Sequence, residues 1–308
     1  ARINEQLAAL GKRQITSFHH EATLLPDGKI LALAAVEQMM TGVQGPAAVD
    51  VIGDMILVLD QNLQVVWTWD AFDHLDPYRL PTLGETCTPT GGGCPPFYLA
   101  NQAVDWLHGN ALQLTPDGNI LYSMRHQDWV IKIAYGNGQG NGDILWRLGK
   151  DGDFTIVSSD PSPWFSHQHD ANFLPGDSTA LTVFDDGNVR RAADPGAHSR
   201  GQVLQLDEQN HVAVLVLNAD LGAYAYALGS AQRLAGGNFH FNVGFIQGTV
   251  DTAQSVEVDP SGRILYDLQV STPEYRSFRV HDLYGVPAMI SESAASYSAG
   301  AVASGSIV

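Results

Sequence analysis

Basic residues are scarce in this chain of 308 residues: 16 Lys and Arg stand against 33 Asp and Glu, a formal net charge of −17. So acidic a chain is a poor partner for nucleic acid and for anionic lipid surfaces, both of which bind through cationic patches. The acidity itself is read as a solubility feature and says little about any local site. Long apolar runs are missing as well. No stretch of 18 apolar residues occurs, so no helix is expected to insert into a membrane. Cysteine is reduced to Cys87 and Cys94, the two ends of Cys-Thr-Pro-Thr-Gly-Gly-Gly-Cys. So Pro- and Gly-rich a stretch is neither helix nor strand, and a short disulfide stapling the loop is expected, in an oxidising compartment. No Cys or His pair at zinc spacing accompanies it, so no metal is assigned there. Helical periodicity is nearly absent, and only 3–12 carries a weak helical pattern. No secretory signal opens the chain, which fits a mature or trimmed product.

What the chain has instead is a repeated phrase. It reads His-His-Glu-Ala-Thr-Leu-Leu-Pro-Asp-Gly-Lys-Ile-Leu at 19–31 and His-Gly-Asn-Ala-Leu-Gln-Leu-Thr-Pro-Asp-Gly-Asn-Ile-Leu at 108–121. It returns as His-Asp-Ala-Asn-Phe-Leu-Pro-Gly-Asp at 169–177 and as Ser-Ala-Gln-Arg-Leu-Ala-Gly-Gly-Asn at 230–238. His108 and His169 are 61 residues apart, as are His169 and Ser230. Each copy is a polar residue, an apolar strand and a Gly turn, and most are followed by a second hairpin pattern. Four short antiparallel strands per unit of about 50–70 residues read as the blades of an all-β propeller. With 44% apolar residues the chain can bury a large core as one domain. The first unit is longer, 88 residues from His20 to His108, and the excess over 71–105 is expected to form a lid or wall near the channel. Four blades are visible, then one closing strand over 275–284; residues 1–290 are assigned to the propeller and the Ser/Ala/Gly-rich 291–308 to a flexible tail.

Equivalent positions of such repeats converge in space. The residues that open the blades are His19 and His20, His108 with Asn110, His167 and His169, and Ser230; Arg125 adds a guanidinium from the next strand of the second blade. Nearly all are hydrogen-bond donors. Glu21 and Asp170 follow the histidines and would alternate away from them in a regular strand. Imidazoles around one guanidinium favour an oxyanion such as sulfate or phosphate. Neutral imidazole can also act as nucleophile or as acid and base near neutral pH. Three histidines are also a common transition-metal ligand set, but Arg125 would repel a cation, and no metal is assigned.

The order His-His-Glu with Leu-Pro-Asp-Gly, then His-Gly-Asn followed by Arg-His-Gln-Asp-Trp-Val-Ile-Lys-Ile, then Gln-His-Asp-Ala with Phe-Asp-Asp-Gly-Asn, resembles the bacterial aryl-sulfate sulfotransferases over about residues 18–284. The resemblance implies a six-bladed periplasmic propeller that moves a sulfuryl group from a phenolic sulfate ester to another phenol with no nucleotide sulfate donor, hence no cofactor. It implies His169 as the nucleophile that is transiently sulfated, and His108, Asn110 and Arg125 as sulfate-binding groups. His20 is the remaining sulfate-binding or acid/base histidine, with His19 beside it; Ser230 falls where the family has a further polar contact. Trp106, Trp129, Trp164, Phe165 and Tyr98 lie near these motifs and are candidates both for stacking on an aryl ring and for blade packing. Family members carry a β-sandwich and further blades before the His-His-Glu motif. Four blades are therefore too few, and a longer precursor, a homo-oligomer or a second chain is expected to complete the ring. The competing readings are a metal-dependent propeller lyase or hydrolase using the same histidines, and a non-catalytic propeller subunit of an extracellular assembly. The expected location is periplasmic or secreted.

Overall fold

A computed structural model describes residues 2–280; the tail expected over 291–308 and the second half of the strand expected over 275–284 lie outside the described residues. Four antiparallel sheets follow one another along the chain. The first is β1 (Ile15–Leu24), β2 (Ile30–Thr41), β3 (Ala48–Leu59) and β4 (Val65–Asp70). The second is β7 (Gly109–Leu114), β8 (Ile120–Met124), β9 (Trp129–Ile133) and β10 (Ile144–Gly149). The third is β12 (His169–Leu174), β13 (Asp177–Asp185), β14 (Arg200–Asp207) and β15 (Val212–Asp220), and the fourth is β16 (Ala227–Arg233), β17 (Phe239–Ile246), β18 (Thr252–Val258) and β19 (Ile264–Val270). Short strands β5 (Thr86–Cys87) and β6 (Ala103–Asp105) add to the first sheet, and β11 (Thr155–Val157) adds to the third. These are the blades that the repeat predicts. Their inner strands stand side by side, β1 against β7, β7 against β12, and β12 against β16. Among the described residues no strand pairing joins the fourth blade back to the first.

The Gly turn of the repeat, Pro-Asp-Gly in the first two blades, is the hairpin at the end of each inner strand away from the histidines. In the first blade the Gly28 N–H donates to the Leu25 carbonyl at 2.9 Å, with Gly28 at φ +82°, a conformation that glycine alone adopts without strain. Strand alternation then gives each blade two apolar faces. Leu31, Leu33, Ile56 and Val58 face the second blade and pack with Tyr122, Ile131 and Ile133. The opposite face, Ala34, Val36, Met55 and Leu57, is covered by α1 (Arg2–Ala9) through the fully buried Leu7, and α1 is the helix expected over 3–12. A second core joins blades two and three around Trp146, Phe165 and Phe173, and a third joins blades three and four around Phe184, Phe241 and Val243. Lys132, buried between blades two and three, is held at 2.8 Å by both Asp117 and Glu208.

Residues 275–280 correct the expectation of a closing strand: they form no ladder, and side-chain hydrogen bonds hold them across the fourth blade instead. Close packing between blades three and four makes one prediction. A Cβ on Gly201 would lie 2.2 Å from the Phe241 ring, which is fully buried. Gly201→Ala should therefore lower unfolding stability by roughly 1–3 kcal/mol. A fall in the urea midpoint at unchanged m-value checks it, and an unchanged midpoint contradicts it.

Candidate active site

Regular strands would send successive side chains to opposite faces, and three of the four inner strands are not regular where the histidines stand. The register of β1 slips between Phe18 and Ala22, that of β7 between Gly109 and Ala111, and that of β12 between His169 and Asn172. At these slips His20, His108 and Asp170 take φ of +55°, +50° and +51°. Left-handed backbone at a non-glycine residue costs on the order of 1–3 kcal/mol and persists only where the surroundings enforce it. The β-bulges re-aim consecutive side chains toward the channel. They also correct the expected alternation of Glu21 and Asp170, because both carboxylates stay beside the cluster and meet Arg276. The β16 strand has no such slip at Ser230. Its hydroxyl donates to the Ser277 carbonyl at 2.8 Å and accepts from the Ser277 N–H at 3.2 Å, so it is used by 275–280 rather than by the histidines.

The histidines do converge. The His20 and His108 ring centroids are 4.9 Å apart, and His108 lies 4.7 Å from His126, which lies 5.5 Å from His167. His19 and His20 approach Nδ1 to Nδ1 at 2.7 Å. Behind the imidazoles stand carboxylates that the sequence reading missed. His169 Nδ1 is 2.7 Å from Asp186, His108 Nδ1 is 2.7 Å from Asp105, and His19 Nε2 is 3.0 Å from Asp54, close but off the hydrogen-bond axis. Asp186 is the second Asp of Phe-Asp-Asp-Gly-Asn, while Asp105 sits three residues before His108, at the end of the 71–105 excursion. Asp54, from β3, had no sequence signal tying it to His19. Burial would raise the Asp54 carboxyl, but His19, the Tyr122 hydroxyl and the Gly109 N–H outweigh it and hold it low. Burial, then Arg125, His20, His108 and Arg276, push His169 well below the usual imidazole range. Burial with His108, His19, Arg276 and Arg125 push His20 down to about 2. Both rings are therefore neutral at pH 7. Burial pushes the Asp186 carboxyl well up, against the pull of Arg125, so the pair shares a proton between Nδ1 and the carboxyl; with that proton on Nδ1, Nε2 is left free to face a ligand.

Arg125 is buried, and among the described residues it has no carboxylate within ion-pair distance. Its guanidinium donates to His126 Nε2 at 2.5 Å and to the Tyr226 carbonyl at 3.0 Å, and its Nε is buried without a partner. His126 is pushed well below the usual range, by burial first and then by His108 and Arg125, and donates its other nitrogen to the Asp105 carbonyl at 2.7 Å. A buried cation whose protein partners are all neutral is suited to bind an anion. Asn110 is fully buried; its Nδ2 donates to the Gln168 carbonyl at 2.7 Å and its Oδ1 has no side-chain partner among the described residues.

The 71–105 excursion walls this cluster, as its position in the first repeat suggests. The Thr82 N–H donates to the His126 carbonyl at 2.9 Å, and Glu85 meets His167 Nε2 at 2.5 Å. Cys87 and Cys94 form the expected disulfide in this segment. His167 is clamped by Asp128 as well, 3.0 Å from its Nδ1; burial would lower it, but the two carboxylates raise it above the usual range. The five proposed aromatics part ways. Trp106 and Phe165 are fully buried core residues, Trp129 is buried under Arg79 at 3.8 Å, Trp164 packs on the core of blades two and three, and Tyr98 is exposed with its N–H on Glu37. Tyr275, 6.0 Å from the His20 ring, and the half-exposed Tyr226, 5.9 Å from the Arg125 guanidinium, border the cluster instead.

For a metal, the groups of ligand atoms within 4.8 Å of one another among the described residues are Glu85 with His126 and His167, Asp105 with His108 and His126, and Asp105 with Cys87 and Cys94; His20, His108 and His169 do not form such a group. The two histidine groups need His126, whose free nitrogen is already taken by the Arg125 cation, and the cysteine sulfurs are spent in their disulfide. The arrangement suits an anion better than a cation.

A family model described as Arylsulfotransferase (ASST) matches residues 4–279. No curated protein matches the chain. A candidate 6-phosphogluconolactonase of Bacteroides uniformis is similar in structure at 10% identity, over 82% of this chain and 71% of that one, with TM-score 0.41. The periplasmic gluconolactonase of Pseudomonas aeruginosa is similar at 11% identity, over 84% and 87%, with TM-score 0.37.

Two outcomes follow from the electrostatics. Sulfate at millimolar concentration, against chloride at equal ionic strength, should raise the melting temperature, and Arg125→Met should remove that rise without lowering the anion-free melting temperature. A rise that survives Arg125→Met contradicts the anion site. Because the folded His167 titrates above its ordinary 6.5, its stabilisation is fully present below pH 6.5 and is lost as pH rises through the raised value. His167→Gln should thus destabilise more at pH 6 than at pH 9 in paired denaturant curves; equal losses contradict it.

Proposed function

The chain belongs to the arylsulfotransferase family, and from that premise we propose that it moves a sulfuryl group from a phenolic sulfate ester to a phenolic acceptor, ping-pong, through a transiently sulfated His169. The observation that carries this reading is the buried Arg125, whose protein partners are all neutral, beside a neutral imidazole whose second nitrogen is held by Asp186. The sulfate oxygens of the donor bond to Arg125, with His20 and the second amide hydrogen of Asn110 alongside. His169 Nε2 attacks sulfur, the S–O bond breaks, and the electron pair leaves with the phenolate oxygen.

His108 is the better proton carrier of the two candidate histidines. Its Nδ1 is hydrogen-bonded to Asp105, which leaves Nε2 to carry the proton, whereas burial first, then His108, His19 and the two arginines, hold His20 neutral. Protonated His108 gives its Nε2 proton to the departing oxygen. It then takes the proton of the acceptor phenol, whose oxygen attacks sulfur as the N–S bond breaks, and both histidines return to their starting state. His19 positions His20, and Ser230 has no part in the transfer. Tyr226 and Tyr275 flank the aryl ring. The disulfide supports a periplasmic or secreted location. The four blades between residues 15 and 270 form the propeller portion, and a homo-oligomer or a second chain is the proposed means of closing the ring.

Transfer from 4-nitrophenyl sulfate to phenol without added nucleotide tests the reading. His169→Ala should reduce it to below about a thousandth of wild type. Asp186→Asn should cost about 10²–10⁴-fold in kcat by freeing the wrong tautomer, and Arg125→Met about 10²–10³-fold. Full transfer by His169→Ala would remove the nucleophile from this account.

A further inference from the structure

Residues 274–279 lie as a strap on the polar face of the fourth blade. Asn242 donates to the Glu274 carbonyl at 3.2 Å, Ser277 Oγ meets Ser255 at 2.7 Å and His240 at 3.1 Å, and the Arg279 N–H donates to Gln232 at 2.8 Å. At its centre Arg276 reaches across the inner strands of the other three blades. Its guanidinium is 2.9 Å from Glu21 on β1 and 3.7 Å from Asp170 on β12, and it donates to the Asn110 carbonyl on β7 at 2.7 Å. Asp170 in turn accepts the Ala231 N–H of β16 at 3.0 Å. One cation thereby links all four inner strands.

The two carboxylates it holds are the residues that immediately follow His20 and His169. Resting on the transfer reading above, we propose that Arg276 is a positioning residue that neutralises Glu21 and Asp170, so that the adjacent His20 and His169 stay unprotonated and His169 stays nucleophilic. Burial raises the Glu21 carboxyl even beside Arg276; without that cation the two carboxyls would gather protons next to the rings, and the rings would lose a positive neighbour that keeps protons off them. The groups that face His20 are His19, His108, Tyr275, Arg125 and Arg276; those that face His169 are Asp186, His20, His108, Arg125 and Arg276. Arg276 is common to both, and it lowers the proton affinity of each. Arg125 shares this effect but carries no bond to Glu21 or Asp170, so it cannot substitute for the strap.

The experiment is a side-chain NMR titration of the full chain labelled at histidine Cε1, from pH 4 to 9, with His20→Gln and His169→Gln assigning the two signals. In the wild type neither should titrate in that range. In Arg276→Met at least one should, and the acid limb of kcat/KM should move up by about one pH unit, a tenfold change in proton affinity. Arg276→Lys, a point charge too short to span all three partners, should move both partway, and it serves as the variant of record if Arg276→Met does not fold. Flat titrations in the folded variant, with activity lost equally at every pH, overturn the proposal. The titration needs no substrate, so a protein that transfers no sulfuryl group would sink the function while leaving this test decisive.

Discussion

A buried guanidinium with only neutral partners governs the rest of this molecule. Arg125 is desolvated, and its partners are an imidazole nitrogen and a backbone carbonyl, neither of them charged. Desolvating a cation is costly unless something negative arrives, and the surroundings keep the protein's own carboxylates away from it. Asp105 and Asp186 are bonded to His108 and His169, Glu21 and Asp170 to Arg276, and Glu85 and Asp128 to His167. Each acid is turned to the back of a ring or into a separate ion pair. The front of the cluster is left with one cation and neutral imidazoles, a surface that attracts an oxyanion yet retains lone pairs for chemistry.

That division of front and back depends on backbone irregularity. A regular strand cannot aim a histidine and the residue after it at the same channel. The bulges in β1, β7 and β12 do so, at the expense of left-handed backbone at His20, His108 and Asp170. The fourth inner strand keeps its register and contributes Ser230 to the strap instead. The strap then supplies Arg276, and the strain in three blades is held in place by bonds from a segment packed on the fourth. The wall over 71–105 closes the side at His126 and His167, stapled by its disulfide.

Much of this was legible in the sequence, for physical reasons. The Gly turns and alternating apolar strands set the blades, and the 61-residue spacing sets His108, His169 and Ser230 on equivalent inner strands. Convergence of the histidines followed from that, and the cysteine pairing from the short Pro- and Gly-rich loop between Cys87 and Cys94. What was not legible depends on long-range contacts or on broken periodicity. Nothing in Asp54 or Glu85 announces a histidine partner, since each is brought from a different strand or loop. Glu21 and Asp170 were expected to point away because alternation is the rule for strands, and a bulge has no composition signal here. Tyr226 and Tyr275 were passed over for tryptophans that were nearer in sequence and turned out to be core. Arg276 lay inside a stretch read as a closing strand, a reading that treats side chains as ladder decoration rather than as the connection itself.

The central claim is that the front of this cluster takes a sulfuryl group onto one particular nitrogen. Intact-mass measurement after a brief pulse of 4-nitrophenyl sulfate, followed by peptide mapping under conditions that preserve N–S bonds, tests it most directly. The account predicts a single sulfuryl adduct on the peptide that contains His169, discharged on addition of phenol. Continued transfer to phenol with no adduct at any time after the pulse, or an adduct located on another histidine, would contradict it.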